Sequence, residues 1–343
     1  MTHRETIAAL IKLEKTPRLP VSLLSGGAWT LNRGGLTMER ALAEQPQRLA
    51  EVIADTNEQV GCDIIWPGSG YHNLAIRGAG GVIKFRTKGT PDVMAPLILD
   101  LAHIDYTLVE RMKDDPGIRL LAETAGILAR EIGGHTVVGT SQWAPFTLGG
   151  LAFGVERMMR AVYKDKAAVH AVLEFAAELC FAYLEPYIDA GISIISLADP
   201  TASGDLVSRE QFAEFALPYL ARVGAKVKAR GVWLVVHICG NTTNRLDLIP
   251  QTGADIMSVD YKVDLSAARL ILGGKIAFAG NMNPVTVMQK ETPQGVAEAC
   301  RQSVAKAGAS AGYLLMPGCD IPPSVPIENV KAMVETAHAY SIS

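Results

Sequence analysis

The sequence predicts an α/β fold, a (β/α)8 TIM barrel. Eight short apolar runs alternate with longer helical stretches along 343 residues. The runs are continuously apolar, which is typical of parallel strands buried on both faces. Several follow a glycine turn, as in VGCDII and TGADIMSV, where glycine ends a helix just before a strand. Eight such units on this length favour a barrel. The runner-up is an open doubly wound sheet, but no glycine-rich dinucleotide fingerprint follows the first run.

The elements follow one another without an interdomain linker. The predicted strands, in chain order, are Val21–Ser25, Asp63–Trp66, Thr136–Gly139, Ser193–Leu197, Val232–Val236, Asp255–Val259, Lys275–Ala279 and Gly312–Met316. Residues 68–134 contain a small insertion, in which GGVIKFRTKGTPDV predicts a hairpin on top of the barrel, followed by helices. We therefore expect one barrel domain spanning residues 1–343.

Composition limits the function classes. The formal net charge is -3 and 49% of the residues are hydrophobic, so the mild acidity argues against a nucleic-acid-binding protein. No apolar run approaches the roughly 20 residues that cross a bilayer, and the polar N-terminus does not resemble a signal peptide. The five cysteines are widely spaced and odd in number, which argues against a disulfide framework. We expect a cytoplasmic protein with no nucleic-acid or membrane partner.

Polar and aromatic residues follow the predicted strands. Because the active site of a TIM barrel lies at the C-terminal ends of its strands, these residues are the candidates for function. They are Trp29, Tyr71, His72, Trp143, Asp199, His237, Cys239, Asp260, Tyr261, Asn281 and Cys319.

Three of these candidates are typical zinc ligands. His237 and Cys239 lie two residues apart at a strand end, so both side chains point to the same face. Cys319 follows the last predicted strand. One histidine and two cysteines leave one tetrahedral position open, which is typical of a catalytic zinc site, and thiolates favour zinc over magnesium or calcium. The alternative is a hydrogen-bonded core histidine and two cysteines buried by packing.

Several segments carry a resemblance to a known family. They are Ala198–Ser203, Val236–Asn241, Ala279–Asn281, Met316–Pro323 and Pro326–Lys331, together with Trp143–Leu148. The chain resembles the methylcobamide:coenzyme M methyltransferases of the uroporphyrinogen decarboxylase superfamily. The decarboxylases themselves have an arginine-rich loop after the first strand, whereas Leu24–Leu31 contains no arginine. A decarboxylase also needs no metal, so its chemistry would leave the three ligands unexplained.

The resemblance implies a uroporphyrinogen decarboxylase-like barrel and a zinc- and corrinoid-dependent methyltransferase. Zn2+ would be bound by His237, Cys239 and Cys319, and a corrinoid (methylcobalamin) would be carried by a separate protein that docks over the barrel. The small molecule is either a thiol acceptor or a methyl-ether donor such as a methoxylated aromatic compound, as in O-demethylase systems. The alternatives are a decarboxylase-type enzyme and a non-catalytic zinc-binding barrel.

The remaining candidates also have expected roles. We expect His72 to be a general acid or a polar pocket residue, and Asp199 to take part in catalysis or to be a satisfied turn residue. The substrate-binding candidates are Trp29, Tyr71, Trp143, Asp260, Tyr261 and Asn281. The rings suit an aromatic methyl ether, but they could equally cap the barrel or receive the corrinoid. Asp205 and Asp320 are expected to be local caps.

Overall fold

The structure, a computed structural model, describes residues 1–86, 89–308 and 311–340. Its main sheet has seven parallel strands in the order β1-β4-β5-β6-β7-β8-β9, and β2 and β3 form a separate antiparallel pair. The strands are β1 (Ile64–Ile65), β2 (Ile83–Lys84), β3 (Asp92–Val93), β4 (Val137–Trp143), β5 (Ile194–Ala198), β6 (Trp233–Ile238), β7 (Ile256–Val259), β8 (Ala277–Met282) and β9 (Tyr313–Pro317).

The segment around Val21 closes the sheet into a barrel. Val21 forms a parallel bridge with Leu315 in β9, and its carbonyl accepts a hydrogen bond of 2.9 Å from the amide of Asp63, beside β1. The predicted strand at 21–25 is thus reduced to a single bridge. Beyond this bridge, the carbonyl of Leu23 accepts a hydrogen bond of 2.8 Å from the Trp66 indole. A side-chain donor thus takes the place of the backbone amide of a neighbouring strand. The eighth position of the predicted barrel is filled, and the barrel prediction is confirmed.

The helices surround this barrel. Sequence signals explain several starts: Thr2 and Glu5 form a capping box, and Asp115 caps a helix that begins with Pro116. The helices are α1 (His3–Ile11), α2 (Gly27–Arg33), α3 (Met38–Ala41), α4 (Pro46–Val60), α5 (Leu74–Gly78), α6 (Thr107–Met112), α7 (Pro116–Glu131), α8 (Pro145–Phe153), α9 (Val155–Lys164), α10 (Lys166–Asp189), α11 (Arg209–Gln211), α12 (Leu217–Ala229), α13 (Leu265–Leu272), α14 (Pro293–Ala307) and α15 (Ile327–His338).

The core has two parts. An inner cluster fills the barrel with alternate strand residues such as Ile194, Val235 and Ile256, and Ile7 and Leu10 of α1 belong to it. A larger outer cluster lies between the strands and the surrounding helices. Because alternate residues face inward, the position of Val235 also directs His237 into the barrel. The sheet thus fixes which residues reach the site.

The insertion between β1 and β4 contains the predicted hairpin. Ile83 and Lys84 pair with Val93 and Asp92 in antiparallel register. Residues 87 and 88 of the predicted segment lie outside the described residues. That the whole chain is one domain stays a prediction.

One helix differs from the expectation that no apolar segment is long enough to cross a bilayer. Helix α10, with a mean hydropathy of 1.5 over its most apolar stretch, is long and apolar enough to cross a bilayer. It packs against α7, α8 and α12, and 67% of that stretch is buried inside the protein. A helix in the core of a protein makes contacts of this kind. Helix α10 resembles a membrane span by length and composition.

Candidate metal centre and cleft

His237 lies near the C-terminal end of β6, with its side chain inside the barrel. In the parallel register His237 is opposite Ser258 of β7, so both inward-facing side chains lie in one layer. Nδ1 of His237 forms a hydrogen bond of 2.9 Å with Oγ of Ser258. Nε2 lies 3.2 Å from Sγ of Cys239, and the histidine is 2% exposed. Ser258 therefore fixes the ring so that the other nitrogen faces the thiol.

Cys319 completes the group from the other side of the barrel mouth. Its Sγ lies 3.6 Å from Sγ of Cys239. The ligand atoms of His237, Cys239 and Cys319 all lie within 4.8 Å of one another. Among the described residues, these form the one group of three or more His, Cys, Asp or Glu side chains arranged closely enough to hold a metal ion.

The two thiols share one hydrogen bond, which makes them chemically unequal. The contact with Cys239, helped by His237, lowers the pKa of Cys319 against the opposing effect of burial. The same contact, together with burial, raises the pKa of Cys239. The arrangement thus favours a thiolate on Cys319, and thiolates are the form in which cysteine binds metals.

Gly318 brings Cys319 into position. A Cβ at Gly318 would lie 2.4 Å from the backbone nitrogen of Tyr261 and 3.1 Å from the carbonyl oxygen of Asn281. The loop after β9 therefore passes against the loop after β7 at a distance that only glycine permits. The amide of Gly318 also donates to the carbonyl of Met282 at 2.8 Å, which joins it to β8.

A cleft of about 540 Å³ opens beside the two cysteines. Cys239 and Cys319 line it, whereas His237 lies behind them in the barrel. The other lining residues come from the loops after β5, β6, β7, β8 and β9: Pro200, Ser203, Asp205, Leu206, Gly240, Asp260, Tyr261, Lys262, Asn283, Pro284, Val285, Thr286 and Asp320. A small molecule in this cleft would meet the sulfur atoms directly.

The amide of Asn281 holds one wall of the cleft. Its Nδ2 donates to the carbonyls of Asp260 at 3.0 Å and Val263 at 2.6 Å. Asn281 was a substrate-binding candidate, but these bonds make it a support for the loop after β7. Asp260 and Tyr261, also candidates, do line the cleft, and Tyr261 is 43% exposed.

Arg245 supports the loop after β5 on the opposite side. The side chain is fully buried and donates to the carbonyls of Ala202 and Val207, each at 2.8 Å. Its guanidinium carbon lies 5.3 Å from the centre of the Phe212 ring. Burial lowers the pKa of Arg245. Its two carbonyl bonds bracket the loop that contributes Ser203, Asp205 and Leu206 to the cleft.

His72 lies in a second polar group of the barrel mouth. Its Nε2 forms a hydrogen bond of 2.7 Å with Oγ of Ser141, which contacts Oγ of Ser69 at 2.8 Å. The ring centre lies 4.3 Å from that of Trp143, whose indole donates to the Asn73 side chain at 2.8 Å. Burial lowers the pKa of His72 to about 3, and its Nδ1 is buried without a partner. A neutral imidazole is therefore present at neutral pH, and neither His72 nor Trp143 lines the cleft beside the cysteines.

Asp199 lies between β5 and the helix layer. Its Oδ1 accepts hydrogen bonds from the amide and the hydroxyl of Thr147, at 2.8 and 2.6 Å, in the first turn of α8. Burial raises the pKa of Asp199 to about 7, and Oδ2 has no hydrogen-bond partner among the described residues. The Asp199 side chain therefore caps the first turn of α8 and does not line the cleft, and a catalytic role for it stays a prediction.

Trp29 and Tyr71 are buried packing residues. Each is 1% exposed, and each donates to a backbone carbonyl: Trp29 to Val325 at 2.8 Å, and Tyr71 to Met38 at 2.7 Å. Neither lines the cleft. Both line a separate, small cavity of about 40 Å³, which Trp143 and Tyr261 do not line, so the structure does not gather all four aromatic candidates into one pocket.

Sequence reasoning missed several residues that position the site. Ser258 could have been found from the period of two along β7, because it stands two residues before Asp260. No sequence pattern of this kind indicates the roles of Gly318 and Arg245, because both residues act by contacting loops that are distant in sequence. Asp205 and Asp320, expected to be local caps, both line the cleft. Asp320 also accepts hydrogen bonds from the amides of Gly26 and Ile321, at 2.7 and 3.0 Å.

Comparison with known proteins gives the family. The family model for uroporphyrinogen decarboxylase (URO-D) matches residues 2–340. The chain is 34% identical over 65% of its length to the methylcobamide:CoM methyltransferase MtbA of Methanosarcina acetivorans, and 32% identical over 74% to that of Methanosarcina mazei. These matches span 64% and 73% of the two relatives.

A solved structure supports the same fold. A methyltransferase from Methanosarcina mazei superposes with a TM-score of 0.86, covering 98% of both chains at 23% sequence identity. At this identity the match concerns the fold. Together, the family model, the sequence relatives and the common fold agree with the resemblance that the His-x-Cys and Pro-Gly-Cys segments carry. The chain belongs to the uroporphyrinogen decarboxylase family and, within it, to the branch of the methylcobamide:coenzyme M methyltransferases.

Proposed function

We propose that His237, Cys239 and Cys319 hold a catalytic zinc ion. The single observation that carries this proposal is the convergence of their ligand atoms within 4.8 Å beside an open cleft. The donor set fits zinc, which prefers sulfur and imidazole ligands. The hydrogen bond between Nδ1 of His237 and Oγ of Ser258 also fits, because a metal-bound histidine donates its other ring N–H to an acceptor of this kind.

When bound, the metal would supply one chemical function, which is to favour the thiolate form of a substrate thiol. The protein determines the rest. Ser258 orients His237, Gly318 allows Cys319 to approach, and Asn281 and Arg245 hold the loops that shape the cleft. Cys239 and Cys319 line that cleft, so a small thiol can reach them.

We further propose that the chain moves a methyl group between the cobalt of a corrinoid and such a thiol. The methyl passes from methyl-cobalt(III) to the thiolate sulfur; the carbon–cobalt bond breaks with its electron pair on cobalt, which becomes cobalt(I). The names of the relatives support this direction, because methylcobamide is a methylated corrinoid and coenzyme M is a thiol. The aromatic methyl-ether donor has less support, since Trp29 and Tyr71 do not line the cleft.

The corrinoid is proposed to arrive on a separate protein. The cleft opens among the loops at the C-terminal ends of the strands, so a partner that docks there would place its cobalt above the sulfur ligands. Cysteine ligands need a reducing compartment, which supports a cytoplasmic location.

The two alternatives make different demands on the site. A uroporphyrinogen decarboxylase would need basic groups for substrate carboxylates, whereas Lys262 is the one cationic residue among the described residues that line the cleft. A non-catalytic zinc protein would need a fourth protein ligand, whereas three side chains converge in the described part of the chain. Methyl transfer fits both observations better.

Metal analysis tests the zinc proposal. Protein purified from zinc-supplemented medium should contain about one zinc per chain, as a single tetrahedral site predicts. Cys239→Ser and Cys319→Ser should lose it. Cys300→Ser is the control, because Cys300 does not line the cleft and is buried on α14 against Met282. A zinc-free native protein, or variants that keep the metal, would refute the site.

A spectroscopic assay tests methyl transfer. Zinc-loaded protein is mixed with methyl-cobalt(III) cobalamin and a thiol, and the visible spectrum is followed as cobalt(I) forms. We expect turnover that Cys319→Ser abolishes and Cys300→Ser retains. A zinc-containing protein that is silent with every thiol, and also with methoxyarenes and cobalt(I), would favour the non-catalytic alternative.

A further inference from the structure

Exposed apolar side chains meet at the cleft beside the proposed zinc ligands. Among the described residues, eleven large hydrophobic side chains are exposed, and three of them, Leu206, Tyr261 and Val285, line this one cleft. They are 52%, 43% and 40% exposed, and they come from the loops after β5, β7 and β8. Single exposed hydrophobic residues are common on protein surfaces, whereas a group of them around a cleft indicates a surface that a ligand covers.

Turns in the loops fix the backbone at these three positions. The amide of Leu206 donates to the carbonyl of Ser203 at 3.1 Å, and the amide of Val285 donates to Oδ1 of Asn283 at 2.9 Å. The backbone of Tyr261 packs closely against Gly318. The apolar rim, defined as Leu206, Tyr261 and Val285, is therefore formed in the free protein, and a ligand that covers it does not first have to order the loops.

The proposed methyl transfer determines what lies above the apolar rim. The methyl carbon has to approach a sulfur atom beside Cys239 and Cys319 while its bond to cobalt breaks on the opposite side, so cobalt, carbon and sulfur lie in line. A cleft of about 540 Å³ suits a small thiol, whereas a corrin is a broad, flat macrocycle with side chains around its edge and is too large to enter. The corrin ring therefore has to lie across the mouth of the cleft.

On the basis of the proposed function, we infer that the apolar rim binds the corrin ring itself and positions its cobalt over the cleft. The edge of a corrin carries methyl groups, which pack against leucine and valine side chains. The Tyr261 ring offers a flat apolar surface, and its hydroxyl can bond to an amide side chain of the corrin. Contacts from three separate loops fix the tilt of a flat ring, so the chain recognises the cofactor as well as the protein that carries it.

Free methylcobalamin tests this inference, because no carrier protein is then present. Binding to the zinc-loaded protein is measured by equilibrium dialysis without a thiol, so this measurement does not depend on methyl transfer. Leu206→Ala, Tyr261→Ala and Val285→Ala should each weaken binding by about fivefold, the effect of losing the apolar contact of a half-exposed side chain. In the transfer assay the KM for methylcobalamin should rise in these variants, and the KM for the thiol should stay unchanged.

Each rim variant has a control of the same residue type. Leu270→Ala lies on α13, and Tyr163→Ala and Val155→Ala lie on α9. These side chains are 78%, 74% and 40% exposed, and none of them lines the cleft. The three control variants should bind methylcobalamin as the parent does.

The outcomes distinguish this inference from the function on which it rests. Absence of binding, rim variants that bind as tightly as the parent, or equal losses in rim and control variants overturn the inference and leave methyl transfer to its own assay. A rise in the KM for the thiol in place of that for methylcobalamin also overturns it, because the rim would then serve the thiol. If methylcobalamin binds through the rim but no thiol is methylated, the corrin contact stands and the proposed methyl transfer fails.

Discussion

Gly318→Ala tests how the loop after β9 positions Cys319. The added methyl group would lie 2.4 Å from the backbone nitrogen of Tyr261 and 3.0 Å from the backbone carbon of Asp260. Normal contacts begin near 3.4 Å, so one of the two loops must shift by about 1 Å, and neither contact is a flexible side chain. Overpacking of this kind costs about 1–3 kcal/mol of the free energy of unfolding. A displacement of about 1 Å at a reacting group costs on the order of 100-fold in rate.

The measurement compares Gly318→Ala with Gly134→Ala. Gly134 lies in the turn before β4, and a Cβ there would meet no atom within 4 Å. Urea denaturation should place Gly318→Ala about 1–3 kcal/mol below the parent and Gly134→Ala within about 0.5 kcal/mol of it. Zinc content and methyl transfer should fall in the first variant alone. Unchanged stability and zinc affinity in Gly318→Ala would refute the argument that this close approach positions the ligand.

Three further predictions concern buried polar groups. Asp63 accepts hydrogen bonds from Arg18 and from the amide of Val21, where the segment around Val21 closes the barrel. Burial raises the pKa of this carboxyl, but the hydrogen bonds to His3 and Arg18 outweigh burial and lower it. Asp63→Asn should therefore cost about 3–5 kcal/mol near pH 7 in urea denaturation, and the parent should lose this advantage as pH falls below the unfolded value of about 3.9. His72, with a pKa lowered by burial to about 3, should favour unfolding by up to about 1.4 kcal/mol per pH unit as pH falls from about 6.5 towards 3, and His72→Gln should flatten that acid limb. Arg245→Met leaves the carbonyls of Ala202 and Val207 without their donor. Hydrogen exchange in the loop after β5 should therefore become faster, and the free energy of unfolding should fall by about 1–3 kcal/mol per lost bond. Arg48→Met, at an exposed position, is the control, and equal exchange protection of the loop in the two variants would contradict this role.

Local patterns in the sequence determined the barrel and the three candidate ligands. Continuous apolar runs ending in polar residues indicate buried parallel strands, and a period of two places His237 and Cys239 on one face. Cys319 could be added because strand ends meet at one end of a barrel. These inferences need only the geometry of a strand and the order of the units.

The tertiary structure alone decided which candidates reach the cleft. Asp199 caps α8, and Trp29 and Tyr71 donate to carbonyls in the packing layer, although each also follows a strand. The spacing of a residue from its strand does not fix where its loop turns. Loop paths are set by contacts between segments distant in sequence, such as Gly318 against Tyr261. The lining of the cleft has the same origin, because its polar residues come from different loops that only the closed barrel brings together.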